Sequence, residues 1–128
     1  MSKQLTYLDF ANDELGYFAA SYNAGFRYNA MVSQAQRICE CYLKHIIQKS
    51  LFNNSDVMMQ HNLRSIYDYV NNTLGIDLSP IRAQVMLLNN FYTHTRYPGR
   101  EAFLATSGDI DDAFKAIGDI VRFVQRYI

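Results

Sequence analysis

Apolar residues recur along the chain at three- and four-residue steps, the period of a helix face. Leu8, Ala11, Leu15, Phe18, Ala19 and Tyr22 make the first such face. Thr6 and Asp9, three apart, read as the capping box that starts it, and Gly25 ends it. A second face, Val32, Ala35, Cys39, Tyr42, Leu43 and Ile46, predicts a helix over about 28–49. Gln34, Gln36, Arg37, Glu40 and Lys44 flank that stripe. Asn53-Asn54-Ser55 offers N-caps for a third helix, which carries Leu63, Ile66, Tyr67, Val70 and Leu74 and stops at Gly75. Ser79-Pro80 supplies an N-cap and a first helical position for the fourth, with Ile81, Val85, Leu88 and Tyr92 on its face. A polar loop through Thr106-Ser107-Gly108 precedes the fifth. There Asp109 with Asp112 is the expected cap, and Ile110, Ala113, Ile117, Val121, Val124 and Ile128 make the face. No segment alternates at period two for long enough to be a strand.

Five amphipathic helices with short connections predict an all-α fold, an antiparallel up-and-down helical bundle, as a single domain over residues 1–128. Leu15, Leu43, Ile66, Leu88, Ile117 and Val121 are expected to be buried together. The fourth helix should end near Thr95, because Tyr97 precedes Pro98 and is pushed toward extended geometry. Pro98-Gly99 then suits the centre of a type II turn. Tyr92 and Arg96, four apart, share a face of the last helical turn.

Composition narrows the class. Apolar residues make up 49% of the chain, which suits a packed core and excludes a disordered one. Twelve basic residues balance twelve acidic ones, so the overall basic character of a general nucleic-acid binder is missing. No run of about eighteen apolar residues predicts a membrane span, and Met1-Ser2-Lys3-Gln4 has no apolar core behind it, so no signal peptide is expected. Cys39 and Cys41 make no disulfide framework and lack zinc spacing, which points to a reducing cytoplasm. The sequons at Asn53 and Asn71 are then only formal. His45, His61 and His94 are scattered and predict no metal site. There is no glycine-rich phosphate loop, no cofactor is expected, and Asp109, Asp111 and Asp112 read as acidic residues favoured at a helix start.

The order of motifs adds more. The second helix contains Gln34-Ala35-x-x-x-x-Glu40-x-x-Leu43-Lys44, and His61-x-Leu63 opens the third. Tyr92-x-x-x-Arg96-Tyr97-Pro98-Gly99 ends the fourth, and the fifth carries Ala113 and Ile117. In this succession, over residues 7–128, the chain resembles the HEPN domain family, the "higher eukaryotes and prokaryotes nucleotide-binding" domains. The Arg-Tyr-Pro that closes a helix before a final long helix is its most specific element. The resemblance implies a helical bundle that often dimerises and that associates with small nucleotidyltransferase domains, fused or separate. Many members are metal-independent ribonucleases, including toxins of toxin–antitoxin pairs, and carry an Arg followed by four to six residues and a His. No Arg here has a His at that distance; Arg37 and His45, eight apart, come nearest. The chain looks like the Arg-Tyr-Pro branch that accompanies nucleotidyltransferases.

The resemblance implies a nucleotide groove around Lys44, His61, Tyr92, Arg96 and Tyr97. Arg96 and Lys44 suit phosphate, and Tyr92 or Tyr97 suits stacking on a base. The plainer reading leaves Lys44 solvated, His61 a satisfied polar residue near a helix start, and Arg96 paired with Glu40 or complementing the helix dipole. The expected role is a nucleotide- or RNA-associated accessory module rather than an enzyme, possessing a nucleotidyltransferase-type partner or forming a homodimer. Ten tyrosines among eighteen aromatics favour such association. The alternatives are a ribonuclease toxin with a displaced active site and a structural interaction module without a ligand.

Overall fold

The computed structural model describes residues 4–51, 53, 55–95 and 97–128, and the side chains of all of these except Tyr92 and Thr93. Every regular element among them is helical. Helix α1 spans Tyr7–Asn23, α2 Ala30–Lys49, the single turn α3 Ser55–Met58, α4 Leu63–Asp68, α5 Arg82–Thr95 and α6 Ser107–Val124. A π-helical turn, Tyr69–Thr73, extends α4, and a 3₁₀ turn, Ser79–Ile81, leads into α5. No described helix is long and apolar enough to cross a membrane.

Local chemistry sets most of these boundaries. The Thr6 hydroxyl accepts from the Asp9 backbone N–H while the Asp9 carboxylate accepts from the Thr6 N–H, as the sequence predicts. Gly25 (φ 94°) turns the chain after α1, and Gly75 (φ 71°) turns it after the π-helical segment; both angles lie where a Cβ is disfavoured. The third expected helix is divided. Asn53-Asn54-Ser55 precedes only the four-residue α3, with Asn54 outside the described residues. The Leu63 face is capped instead by Asn62, whose side-chain oxygen accepts from the N–H groups of Arg64 and Ser65. At the fourth helix Asp77 takes the capping role expected of Ser79, accepting from the Ser79 N–H. The last helix begins earlier than expected, at Ser107, because Thr106 and Asp109 form a second capping box in which Asp112 takes no part. Helix α5 does end at Thr95. Gly99 does not adopt positive φ, so the type II turn expected at Pro98-Gly99 does not form.

Helix α2 is the axis of the bundle. It packs against α1, α4, α5 and α6. From Met31 to Ile47 only Ser33, Gln34 and Arg37 escape burial. The single apolar stripe read from the sequence therefore understates it: with neighbours on nearly every side, its flanking polar residues are enclosed too. Gln36, Glu40, Lys44 and His45 are all buried. Of the six residues expected in the core, Leu43, Ile66, Leu88 and Ile117 are buried, whereas Leu15 and Val121 are half-buried at its margin.

Candidate functional site

A buried polar group must find partners or lose stability. On α2 that requirement builds a small network. Lys44 retains 2% of its exposure, and its Nζ donates to Glu40 Oε2 at 2.9 Å. The ring of Tyr7, on α1, lies 5.8 Å from the same ammonium. His61 Nδ1 sits 3.1 Å from the same carboxylate oxygen. A carboxylate paired with an ammonium can only accept, so we assign the proton of this bond to Nδ1, which leaves Nε2 as the ring's other polar atom.

His61 is fixed from both flanks. Gln36 Nε2 donates to its carbonyl oxygen at 2.8 Å, and Asn89 Oδ1, from α5, accepts from the Leu63 N–H at 3.1 Å. The Asn62 cap lies between. The loop between α3 and α4 is thereby held against α2 with the imidazole largely exposed. Beside it opens a cleft of about 390 Å³ lined by Glu14, Ser33, Gln34, Gln36, Arg37, Glu40 and His61. Arg37 Nε is paired with Glu14 Oε1 at 2.8 Å, and its side chain is mostly exposed. The second oxygen of Glu14 is buried without a donor among the described residues. Two carboxylates and two cations thus line or underlie the cleft, and the exposed Arg37 and His61 are the groups able to meet an anion. No described cluster of His, Cys, Asp and Glu is arranged to hold a metal ion.

The structure brings together two of the residues proposed from sequence, Lys44 and His61, through Glu40. Lys44 is not solvated but buried, because α1 and α2 close over it. Tyr97 is exposed and lies elsewhere, just beyond the end of α5. There the Thr95 carbonyl accepts from Asn29 Nδ2, at the start of α2, at 2.8 Å. Asn29 and Lys44 are fifteen residues apart on that helix, about 22 Å at 1.5 Å per residue. Arg96 and the Tyr92 side chain lie outside the described residues. Glu40, the pairing partner suggested for Arg96, is occupied by Lys44 and His61. Sequence reasoning left out Glu14, Gln36 and Arg37 as site residues. For Gln36 and Arg37 the signal was polarity on α2, which proves to be enclosed nearly all round; Glu14 lies on α1 and joins the site through Arg37.

The other titratable groups fall outside this cleft. His45 is buried on α2, and its Nδ1 has no described partner. Burial lowers its pKa, with Lys49 adding to the effect and Asp9 opposing it. Burial also raises both thiols, with Glu40 contributing; Cys41 is pushed up to about 11 and Cys39 further. At the opposite end of α1, Asp111 does not cap α6. It accepts from Tyr22 Oη at 2.7 Å and from Arg27 Nε at 3.0 Å. The Tyr22 bond is the main reason its carboxyl lies below the usual range. The Arg27 guanidinium covers the Tyr22 ring at 3.7 Å, and that ring stacks on Phe114 at 3.9 Å.

A helical bundle with a polar cleft against its central helix is the class that these observations define. The family model for the HEPN domain matches residues 6–127. The chain belongs to the HEPN domain family. Membership relates it to nucleotide- and RNA-associated domains. No curated protein and no solved structure matches it.

Proposed function

We propose that this chain is a nucleotide- or RNA-associated binding module whose contact surface is the cleft between α1, α2 and the α3–α4 loop. One observation carries the reading: a buried ion pair on the most enclosed helix holds an exposed imidazole at the rim, next to an exposed guanidinium. A bundle under selection for stability alone gains little from such a pair, since apolar residues of similar volume serve as well or better. Held in place, His61 and Arg37 make two directed donors for a phosphate when the imidazole is protonated, and Gln34 an amide for a base edge. Tyr97 belongs, in this reading, to a second contact region beyond the end of α5, near the start of α2. The partner we propose is a nucleotidyltransferase-type protein or a second copy of the chain, as in a toxin–antitoxin-like pair, consistent with exposed Leu5 and Leu104. Free, buried Cys39 and Cys41 suit a reducing cytoplasm.

Thermal melts with mononucleotides and short RNAs test the reading. A ligand at one hundred times its Kd adds about 2.7 kcal/mol, and Arg37→Ala and His61→Ala should remove that gain without unfolding the protein. If no nucleotide or RNA shifts the wild-type melt, or if both variants respond as the wild type does, the cleft is not the contact surface.

A further inference from the structure

Late α1 and the junction between α1 and α2 expose three aromatic rings: Tyr17 (69%), Phe26 (49%) and Tyr28 (65%). The rings of Phe26 and Tyr28 lie near-parallel, 5.8 Å apart and 25° from coplanar. With Met31 and Gln34 they border an open depression of about 430 Å³. Gln34 also lines the polar cleft, so the two adjoin at that residue as a trough along α2. The α2 residues that line it run from Ala30 to Glu40, ten apart, about 15 Å along the helix.

The segment that carries the rings is tied down. Arg27 donates to the carbonyls of Tyr22 and Phe26 at 2.9 and 2.8 Å. Asn29 bridges the Thr95 carbonyl and the Ala105 N–H at 2.8 and 2.7 Å. Two helix ends and a loop therefore hold the segment that carries Phe26 and Tyr28 in place before any ligand arrives, and Tyr17 is carried by α1, which lowers the ordering cost of binding.

We propose that a single-stranded nucleic acid runs along this trough, its bases stacking on Tyr28, Phe26 and Tyr17 and its phosphates meeting Arg37 and His61. The inference rests on the reading of the cleft given above and extends it from a nucleotide site to a strand site. Exposed aromatic faces beside cationic side chains are the two components that single-strand recognition needs, because every base presents a π-face and every linkage a phosphate. About 15 Å corresponds to about four nucleotides at the stacked spacing of ~3.4 Å, and to fewer in an extended strand. An apolar protein segment fits the trough less well. It would cover Arg37, Glu14 and His61 and strip water from their charges without replacing it. Near-neutral charge around the trough makes stacking, rather than counterion release, the larger share of the affinity.

Fluorescence anisotropy with a labelled oligouridylate of about eight nucleotides, its oligothymidylate counterpart and unlabelled UMP tests the proposal on the full chain. At least one oligonucleotide should bind more tightly than UMP. Tyr28→Ala should weaken that oligonucleotide about tenfold, and more than it weakens UMP, whereas Tyr28→Phe should bind as the wild type does. Arg37→Ala should weaken both ligands. If UMP binds through Arg37 but neither oligonucleotide binds more tightly, or if Tyr28→Ala and Phe26→Ala leave oligonucleotide binding unchanged, the strand proposal is overturned and the cleft reading stands. Should those two variants instead abolish self-association in light scattering while strand affinity is unaltered, the rings form a protein interface and the proposal is likewise overturned. Absence of all binding overturns both readings.

Discussion

Replacing Lys44 by Met is the sharpest physical test of the central helix. The variant conserves volume and removes one charge from a side chain with 2% exposure, leaving Glu40 behind at 11%. At 2.9 Å and an effective dielectric of about 20, the lost attraction is on the order of 6 kcal/mol. Part of it had offset the cost of taking both ions from water, so the net loss is about 3–5 kcal/mol, the range for breaking a buried pair. A domain holds about 5–15 kcal/mol in total, so Lys44→Met should be severely destabilised. Glu40→Leu should lose a similar amount for the mirrored reason, a buried ammonium without an anion. Combining the two changes removes both charges, and the double variant should return to within about 2 kcal/mol of the wild type or exceed it. The coupling energy then exceeds about 3 kcal/mol. Urea unfolding of the four proteins with linear extrapolation measures it. The reasoning is refuted if Lys44→Met costs less than about 1 kcal/mol, or if the two single losses simply add.

Other perturbations have equally definite directions. His45 is lowered below its unfolded value, so its contribution to stability is complete above about pH 6.5 and is lost as the pH falls through the lowered folded value; His45→Gln should flatten that part of the urea-midpoint profile, and an unchanged slope would assign it to other groups. Cys39 and Cys41 should react with an aromatic disulfide only after unfolding, because burial keeps both as thiols at neutral pH; rapid modification of the native protein would contradict their placement. Asp111→Asn should lower the melting temperature at neutral pH and have less effect in acid. The lowered carboxyl contributes above its unfolded pKa, and that contribution fades as the pH falls through the folded value; an equal deficit at every pH would show that charge is irrelevant there.

What could be read from the chain, and what could not, divides along a physical line. Thr6 and Asp9 were legible because a capping box is a contact between residues three apart, and Ile110, Ala113 and Ile117 because one periodic face of α6 is buried while the other stays open. Lys44 was not legible. Glu40 and Lys44 at i and i+4 form the same pair on a solvated surface as in a core, and only the crossing of α1 decides between them. His61 was found through a motif, but its link to Glu40 spans 21 residues and depends on where Asn62 restarts the helix. Asp111 misled because acidic residues at a helix start are usually favoured by the dipole, whereas its partners Tyr22 and Arg27 stand 89 and 84 residues away. Pro98-Gly99 misled in the opposite way: a glycine permits positive φ without requiring it.

The enclosure of α2 connects the fold to the proposed chemistry. A side chain that reaches a cleft from a surface helix is mobile and screened by water. Glu40 instead approaches from a helix walled on several sides, so its charge acts in a medium of reduced dielectric and its rotamer is set by packing. Lys44 pairs with it from behind, and the same carboxylate oxygen orients His61 through Nδ1. The same argument separates stability from binding. In the Glu40→Leu, Lys44→Met double variant the bundle should stay folded, yet His61 loses the carboxylate that fixes its ring, and the imidazole is free to turn. A protein that recovers its melting temperature but not its nucleotide or RNA affinity would show that the pair serves the cleft. If both recover together, the pair is scaffold, and His61 and Arg37 serve the cleft without it.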